Sequence, residues 1–147
     1  METGLAGKVV LVTGGAGGIG QSICRAFSSE GAKVVVHYHE SEQSAVKLAE
    51  ELEGVAIGAD LRDPLEAAGL ISEVISEVGS LDVCIANAGS YPSVSKPLWE
   101  IDPVRWSETL ESNLGVTVNT ARSFLSHASK EKAGSMVMVG STAGIYG

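Results

Sequence analysis

A glycine-rich segment near the start of the sequence has the composition of a phosphate-binding loop. It covers residues 13–20, TGGAGGIG, and follows an apolar run. Glycine allows a tight turn with positive φ and lacks the Cβ that would keep a phosphate away from the backbone. A helix predicted to begin here would add free amide hydrogens and the positive end of its dipole. We therefore predict that this segment binds an anion; a glycine-rich turn without a ligand is the alternative.

The spacing of these glycines favours a dinucleotide over ATP. Residues 15–20 match the general G-x-G-x-x-G fingerprint of dinucleotide sites, and residues 14–20 also match a G-x-x-x-G-x-G pattern. A third template, the ATP-binding P-loop, fails because Gln21 stands where that motif requires Lys.

Polar and small residues also follow the later apolar runs. They lie at residues 37–40, 60–61, 87–89 and 140–144. If the apolar runs are parallel strands, these segments meet beyond the carboxyl ends of the sheet, where ligands bind. His37 and His39 have a spacing that metal ligands use, but the sequence offers no third ligand nearby, so we predict no metal site.

The order of the elements predicts a parallel sheet. Short apolar, β-branched runs indicate strands buried on both faces, and apolar residues every three or four positions indicate helices. The predicted strands are residues 8–13, 33–38, 55–59, 81–86 and 135–139, and the predicted helices are residues 18–31, 41–52, 64–78 and 103–132. Such alternation is typical of right-handed crossovers. The fold class is therefore α/β, a Rossmann-type doubly wound sheet of about five strands in one domain, residues 1–147.

Two predicted elements carry apolar surface. The long helix has one apolar stripe along one face, formed by Leu110, Leu114, Val118, Ala121, Leu125 and Ala128. The fifth strand has the composition of a strand covered on both faces, which requires a further helix and a neighbouring strand, so in the sequence as given we expect it to be a sheet edge. We therefore expect the chain to be the truncated amino-terminal part of a longer protein, without the last strands and helices of the sheet.

Composition and charge exclude several classes of protein. The 147 residues carry a formal charge of −8, and 44% are hydrophobic. The acidic surplus lies in residues 41–147, and because a surface of that sign repels phosphate backbones we predict no nucleic-acid partner. No apolar run reaches the roughly 18 residues of a membrane span, and the start lacks the basic and apolar parts of a signal peptide. With two cysteines, the sequence favours a cytoplasmic protein.

Five motifs, in order, resemble those of the short-chain dehydrogenase/reductase family in its classical form. The first is the cofactor loop, with Thr13, Gly14, Gly18, Ile19 and Gly20. The others are Asp60-Leu61, similar to the acid that contacts the adenine ring, Asn87-Ala88-Gly89, similar to the motif that supports the sheet, Asn113, at the place of the family's structural and catalytic Asn, and Gly140-Ser141, at the segment of the catalytic Ser. The resemblance implies an oxidoreductase that transfers hydride between NAD or NADP and a small carbonyl or alcohol substrate.

The end of the second strand bears on which nicotinamide cofactor is used. NAD sites place an acid there for the ribose 2′-hydroxyl, and NADP sites place a cation. By resemblance that acid falls at Tyr38, so the NAD signal is missing. His39 could approach a 2′-phosphate, although no Arg or Lys is nearby in sequence, and Glu40 could serve NAD if the register slips. The balance favours NADP over NAD.

Two of the four catalytic residues that the resemblance implies are present. Ser141 would hydrogen-bond the substrate oxygen, and Asn113 would hold a water. The family's Tyr donates a proton, and a Lys four residues later lowers the pKa of that Tyr. No Tyr-x-x-x-Lys occurs in this sequence, and Tyr146 lies only five positions after Ser141. We therefore expect little or no dehydrogenase activity from this chain alone.

Other functions stay open at this point. A non-catalytic dinucleotide-binding or regulatory module needs neither the Tyr nor the Lys. A sugar-nucleotide epimerase of the extended relatives is disfavoured because its glycine spacing differs. The resemblance also implies a homo-oligomer that pairs through the helix of residues 103–132.

Overall fold

The sheet at the centre of the molecule has five parallel strands. The computed structural model describes residues 3–91 and 94–142. Its strands are β1 (Val9–Val12), β2 (Lys33–Tyr38), β3 (Val55–Gly58), β4 (Val83–Ala86) and β5 (Ser135–Met138). They lie in the order β3-β2-β1-β4-β5, and every neighbouring pair is parallel. The predicted doubly wound α/β sheet is confirmed.

Helices connect the strands and cover the two faces of the sheet. They are α1 (Gly18–Ser29), α2 (Glu42–Glu51), α3 (Pro64–Val78), α4 (Pro103–Leu110) and α5 (Val116–Glu131). A π-helical turn, Glu111–Gly115, joins α4 to α5, so the predicted long helix is one run with a bulge inside it. Such bulges are frequent at functional sites. A short 3₁₀ turn, Leu98–Glu100, precedes α4.

Local sequence explains where α3 begins and ends. The Asp63 carboxylate accepts a hydrogen bond of 2.7 Å from the backbone N–H of Leu65. Pro64 takes the first helical position, where its missing amide hydrogen is not needed, and Gly79 follows the last turn. This start fixes the turn between β3 and α3, which carries Asp60 and Leu61.

The core consists of two clusters on opposite faces of the sheet. Leu11 and Cys84 pack with α3 and with Phe124 of α5 on one face. Val10 and Ile85 pack with α1 and α2 on the other. All four residues of β1 are buried, as expected for a central strand of a sheet covered on both faces.

Most of the apolar stripe identified in the long helix faces away from the sheet. Leu110, Leu114, Val118 and Leu125 are exposed, and only Ala121 is buried, while Ala128 is partly buried against the core. The residues that α5 buries are Val116, Thr120, Ala121 and Phe124. The helix therefore has two apolar stripes, and periodicity alone does not tell which of them faces the sheet.

Strand β5 lies at one edge of the sheet. Val137 and Met138 are exposed, and Met136 packs against the core only in part. The expectation that this strand forms a sheet edge in the sequence as given is thus confirmed. Within those residues, no helix combines the length and the apolar character needed to cross a membrane.

Candidate functional site

A cavity of about 330 Å³ opens at the carboxyl ends of the strands. It lies where the strand order reverses, between β1 and β4, which is the ligand position of doubly wound sheets. Its lining comes from the ends of four strands and from the π turn: Gly14, His37, His39, Glu40, Ala59, Asp60, Leu61, Arg62, Ala88, Gly89, Ser90, Ser112 and Val116. The parallel register has therefore brought residues of three of the five predicted motifs to one place: the cofactor loop, Asp60-Leu61 and residues 87–89.

The loop between β1 and α1 has glycine where backbone must approach backbone. Gly14 has a φ of 62°, and a Cβ there would lie 3.0 Å from the Cα of Ala88. A Cβ at Gly20 would collide with the carbonyl oxygen of Gly14 and lie 2.8 Å from the Cα of Gly15. Both glycines are thus required by packing, whether or not a ligand is bound.

Open space lies in front of the first turn of α1. A Cβ at Gly18 would meet nothing within 4 Å, and the side chain of Ile19 is exposed. The first amide hydrogens of a helix have no partner inside it, and they carry the positive end of the dipole. A pyrophosphate fits this cradle because the side chains that would obstruct it are missing.

Thr13 ties the glycine loop to the segment after β4. Its buried hydroxyl oxygen accepts hydrogen bonds of 3.0 Å from the backbone N–H groups of both Asn87 and Ala88. In return, the side-chain amide of Asn87 donates to the carbonyl oxygens of Thr13, at 3.0 Å, and Gly14, at 3.3 Å. These predicted residues act on one another, and they hold the cavity's two walls in register.

His37 makes a contact that its sequence did not signal, since the residue looks like an ordinary strand-end residue. Its ring is buried, and Nδ1 accepts a hydrogen bond of 3.0 Å from the N–H of Gly14. Nε2 lies 3.0 Å from the carbonyl oxygen of Ala59. The ring therefore links the loop after β1 with the end of β3. The only available signal is its place two residues before the predicted site residue His39.

Asp60 is bound by a guanidinium group that the sequence interpretation missed. Arg62 Nη2 lies 2.6 Å from Asp60 Oδ2, and Arg62 Nε lies 2.8 Å from Oδ1. These hydrogen bonds are the main reason why the pKa of Asp60 is lowered to about 2. His39 Nε2 stands 3.6 Å from the same carboxylate. No Arg or Lys lies near His39 in sequence, but Arg62 lies on the same cavity wall because the ends of β2 and β3 are neighbours.

The backbone after Asp60 is also held firmly. The Glu66 carboxylate accepts a hydrogen bond of 2.6 Å from the Asp60 N–H. The side-chain amide of Asn119, in α5, donates to the carbonyl oxygens of Leu61, at 2.9 Å, and Arg62, at 3.1 Å. These hydrogen bonds and the burial of the Leu61 side chain fix the Leu61 backbone at the cavity wall.

Tyr38 lies on the other face of the sheet from His37. Its ring packs with the cluster formed by α1 and α2 and lies over Gly58, where a Cβ would come within 2.9 Å of the ring. Desolvation, followed by the neighbouring Glu42, raises the pKa of its phenol. A strand alternates its side chains, so two consecutive residues of β2 serve opposite faces.

Asn113 lies in the π turn and holds the segment after β4. Its Oδ1 accepts a hydrogen bond of 3.1 Å from the N–H of Ser90, and its Nδ2 donates to the carbonyl oxygen of Thr109 at 3.0 Å. The hydroxyls of Ser90 and Ser112 lie 2.8 Å apart beside it. Gly89 lies directly against the Asn113 amide oxygen.

Ser141 follows β5 and is exposed. The strand's alignment continues just past its end, since the Val139 N–H donates to the carbonyl oxygen of Ala86 at 2.9 Å. Gly144 and Tyr146 lie outside the described residues. Within the described part of the chain, no three His, Cys, Asp or Glu side chains are grouped closely enough to hold a metal ion.

Comparison with known proteins finds one family over nearly the whole chain. The family described as short chain dehydrogenase matches residues 8–147. The FabG 3-oxoacyl-[acyl-carrier-protein] reductase of Staphylococcus aureus is 31% identical over 145 residues, which are 95% of this chain and 58% of the reductase. L-fucose dehydrogenase of Oryctolagus cuniculus is 36% identical over 143 residues, 97% of this chain and 49% of that enzyme. The chain thus spans about half the length of the curated relatives it matches.

Solved structures show the same architecture. The crystal structure of gox2181 superposes with a TM-score of 0.89 at 25% identity, and the match covers 96% of this chain and 56% of that one. A chain from Sinorhizobium meliloti 1021 also gives a TM-score of 0.89, at 27% identity and 97% coverage of this chain.

Proposed function

The chain belongs to the short chain dehydrogenase family, and from this premise we propose that it binds a nicotinamide dinucleotide in the cavity at the carboxyl ends of β1–β4. The observation that carries the proposal is the open space before the first turn of α1, where a Cβ at Gly18 would meet nothing within 4 Å. When bound, the cofactor supplies a hydride for exchange with a small carbonyl or alcohol substrate. The family's chemistry makes this an oxidoreductase site.

The residues around the cavity would divide the work of holding the cofactor. Amide hydrogens of Gly18 and Ile19 would bind the pyrophosphate at the start of α1. Asp60 and the backbone of Leu61 would contact the adenine edge. The segment 87–89 would support the ribose next to the nicotinamide, since Thr13 fixes its position.

We propose NADP rather than NAD as the preferred cofactor. His39, after β2, and Arg62, after β3, both line the cavity wall where a 2′-phosphate would lie. Glu40 lines the same wall and opposes this preference, as does the Asp60 carboxylate, which lies 2.6 Å from Arg62 Nη2. The preference depends on Arg62, which gives a phosphate a planar donor group of permanent charge.

Calorimetric titration with NADPH and NADH tests both points. We expect NADPH to bind about tenfold more tightly than NADH, and Arg62→Gln to remove most of that difference, because one charge-assisted contact is worth about 1.4 kcal/mol. Binding of neither dinucleotide by the folded chain would refute the proposal. NADH binding equal to or tighter than NADPH binding would refute the preference.

For catalysis, we propose that Ser141 contacts the substrate oxygen and that Asn113 orders a water beside it. The 147 residues contain no Tyr-x-x-x-Lys, so we expect them by themselves to turn over little or no substrate. Measurement of ketone-dependent NADPH oxidation against a buffer control checks this expectation. Turnover clearly above the control would contradict it, and tight dinucleotide binding without turnover is also what a non-catalytic module would show.

We further propose that copies of the chain pair through the outward face of α4 and α5. Leu110, Leu114, Val118 and Leu125 form an exposed apolar stripe there, and contiguous apolar surface of this kind marks interaction sites. Sedimentation of the chain and of Leu114→Lys tests the pairing, and we expect the variant to be monomeric at concentrations where the parent is not. A parent chain that is monomeric at all concentrations would refute it.

The two buried, free cysteines, Cys24 and Cys84, support a reducing compartment such as the cytoplasm.

A further inference from the structure

We propose that His37 is a positioning residue that holds the backbone amides of Gly14 and Gly15 and so preforms the pyrophosphate site. The inference rests on the proposed dinucleotide binding, which it deepens. It assigns a function to the buried ring of His37. This residue is neither at the predicted acid position, which is Tyr38, nor among the residues expected to contact the phosphates.

One residue binds two consecutive loop amides. The Gly14 N–H donates to His37 Nδ1 at 3.0 Å, and the Gly15 N–H donates to the His37 carbonyl oxygen at 2.9 Å. Both amides therefore point into the protein. The Gly17 N–H is also bonded, to the Gly14 carbonyl oxygen at 3.1 Å, so the amides that we assign to the phosphate are those of Gly18 and Ile19 at the start of α1. We call these two hydrogen bonds, from Gly14 and Gly15 to His37, the latch. They decide which part of the loop can bind the ligand.

The partners of the ring also assign its tautomer. The carbonyl oxygen of Ala59, 3.0 Å from Nε2, can only accept, so Nε2 carries the hydrogen. Nδ1 then has the lone pair that the Gly14 N–H needs. Adding a proton at Nδ1 would set two donors against each other. Function of the latch therefore requires the neutral ring.

The surroundings favour the neutral form. The ring is buried, and this burial lowers the pKa of His37 below its ordinary value. The hydrogen bond to Ala59 acts in the opposite direction, and the nearby His39 lowers the pKa further. The ionisable groups that line the cavity are His39 and Glu40, just after β2, and Asp60 and Arg62, after β3. The other sides are lined by uncharged residues: Ala88, Gly89, Ser112 and Val116. Cys24 lies below Gly15, and its thiol pKa is raised to about 11 by burial, so it stays uncharged.

The value of the latch lies in the flexibility of glycine. Gly14 has a positive φ of 62°, and a glycine that is not held samples many backbone conformations. If only a fraction of molecules has the loop in its binding geometry, the apparent Kd rises by the inverse of that fraction. A latched loop avoids this loss before the ligand arrives.

Two amide substitutions of His37 separate the latch from a merely structural role. In His37→Asn, the amide oxygen stands at the position of Nδ1 and can accept from Gly14, but the side chain no longer reaches Ala59. In His37→Gln, the amide stands near Nε2, so it keeps the contact with Ala59 and loses the acceptor for Gly14. The two variants have the same chemistry and differ by one methylene.

The test measures NADPH affinity by titration and exchange of the Gly14 amide hydrogen by NMR in the free chain. We expect His37→Asn to bind within about threefold of the parent and His37→Gln to bind at least about tenfold more weakly. The Gly14 amide should exchange slowly in the parent and in His37→Asn, and fast in His37→Gln. His127→Gln is the matched control, because His127 contacts Leu81 at the opposite end of the sheet; it should change neither readout.

The outcomes distinguish the two proposals. If the parent binds no dinucleotide, the proposed function fails, and amide exchange alone then judges the latch. If the parent binds and the Asn variant loses as much affinity as the Gln variant, or more, the ring serves only packing and the inference is overturned. Equal Gly14 exchange in all four proteins would overturn it as well.

Discussion

Two regions of the molecule, the loop side and the open side, differ in how far their polar and apolar groups are paired with other parts of the protein. On the loop side, formed by the ends of β1–β4, side chains and backbone bind one another, as Thr13 binds Asn87 and as His37 binds Gly14. On the open side, formed by β5 and the outward face of α4 and α5, apolar side chains meet solvent. Val137 and Met138 are 52% and 55% exposed, whereas the residues of β1 are all buried.

The difference shows which contacts each side needs. The loop side is held by residues that lie within the described chain, and the proposed dinucleotide site draws on these residues. The open side has an edge strand and an apolar stripe, which leave apolar surface in contact with solvent. The proposed cofactor binding therefore depends on the loop side, and four predictions test this contrast.

The largest effect is expected from Gly20→Ala on the loop side. Helix propensity alone would favour Ala by about 1 kcal/mol, but the new Cβ collides with the carbonyl oxygen of Gly14. We expect the free energy of unfolding to fall by about 4 kcal/mol, as for the most severe steric changes, measured by urea unfolding. Gly18→Ala is the control, since its Cβ meets open space, and should leave stability unchanged or raise it by up to about 1 kcal/mol. Equal stability of the two variants would refute the close approach.

Thr13→Val should be the next most harmful change. It keeps the shape of the buried side chain but leaves the N–H group of Ala88 without its acceptor, while the Asn87 N–H keeps only the Ile85 carbonyl oxygen at 3.0 Å. We expect a loss of roughly 2–3 kcal/mol, because a buried unsatisfied group costs roughly 1–3 kcal/mol and the Asn87 N–H loses one of its two acceptors. Thr120→Val is the comparison on α5: Thr120 is also buried, but its hydroxyl only donates to Val116 within the helix. A loss below about 1 kcal/mol is expected there. Similar losses in chemical denaturation would remove the distinction.

The same substitution in β1 and β5 tests burial directly. Val10→Thr places a hydroxyl in the core and should cost about 2 kcal/mol, since Val10 is fully buried. Val137→Thr leaves the hydroxyl in solvent and should change the free energy of unfolding by less than about 0.5 kcal/mol. Thermal unfolding of both variants measures this. A cost at Val137 comparable to that at Val10 would show that β5 is covered in solution, for instance by a second copy.

The smallest effect is a pH dependence of stability on the loop side. The pKa of His37 is lowered in the folded chain by burial, so the unfolded chain takes up the proton first as the pH falls. Stability contributed by the neutral ring is complete above about pH 6.5 and is lost below it, at about 1 kcal/mol per pH unit. Carboxylates with lowered pKa values, such as Asp60 at about 2, lose their contribution only in more acid solution.

Urea unfolding between about pH 7 and about pH 5 measures this slope. His37→Asn has no titrating ring at this position, so its slope should be smaller by the contribution of His37. An unchanged slope in His37→Asn would show that His37 does not titrate differently in the folded and unfolded chain.

The strands and the strand-end motifs could be predicted because each is local. The apolar runs of β1 to β5 and the glycine loop have patterns that need no partner for their interpretation. The buried face of α5 could not be predicted, because Leu114 and Phe124 are both apolar and only contact with β4 and α3 selects Phe124. Arg62 was missed for a related reason: it is remote from His39 in sequence and becomes its neighbour only through the pairing of β2 with β3.

The sequence by itself determined the order of strands and helices, the place of the glycine loop and the family's motifs, since short-range pattern and turn chemistry specify these. Tertiary structure alone decided that Thr13 holds residues 74 and 75 positions away, that His37 holds Gly14 across 23 positions, and that His39 lies 3.6 Å from the Asp60 carboxylate. The physical reason is the parallel register, which brings the ends of separate strands within hydrogen-bond distance and thereby gives buried polar groups the partners that they need.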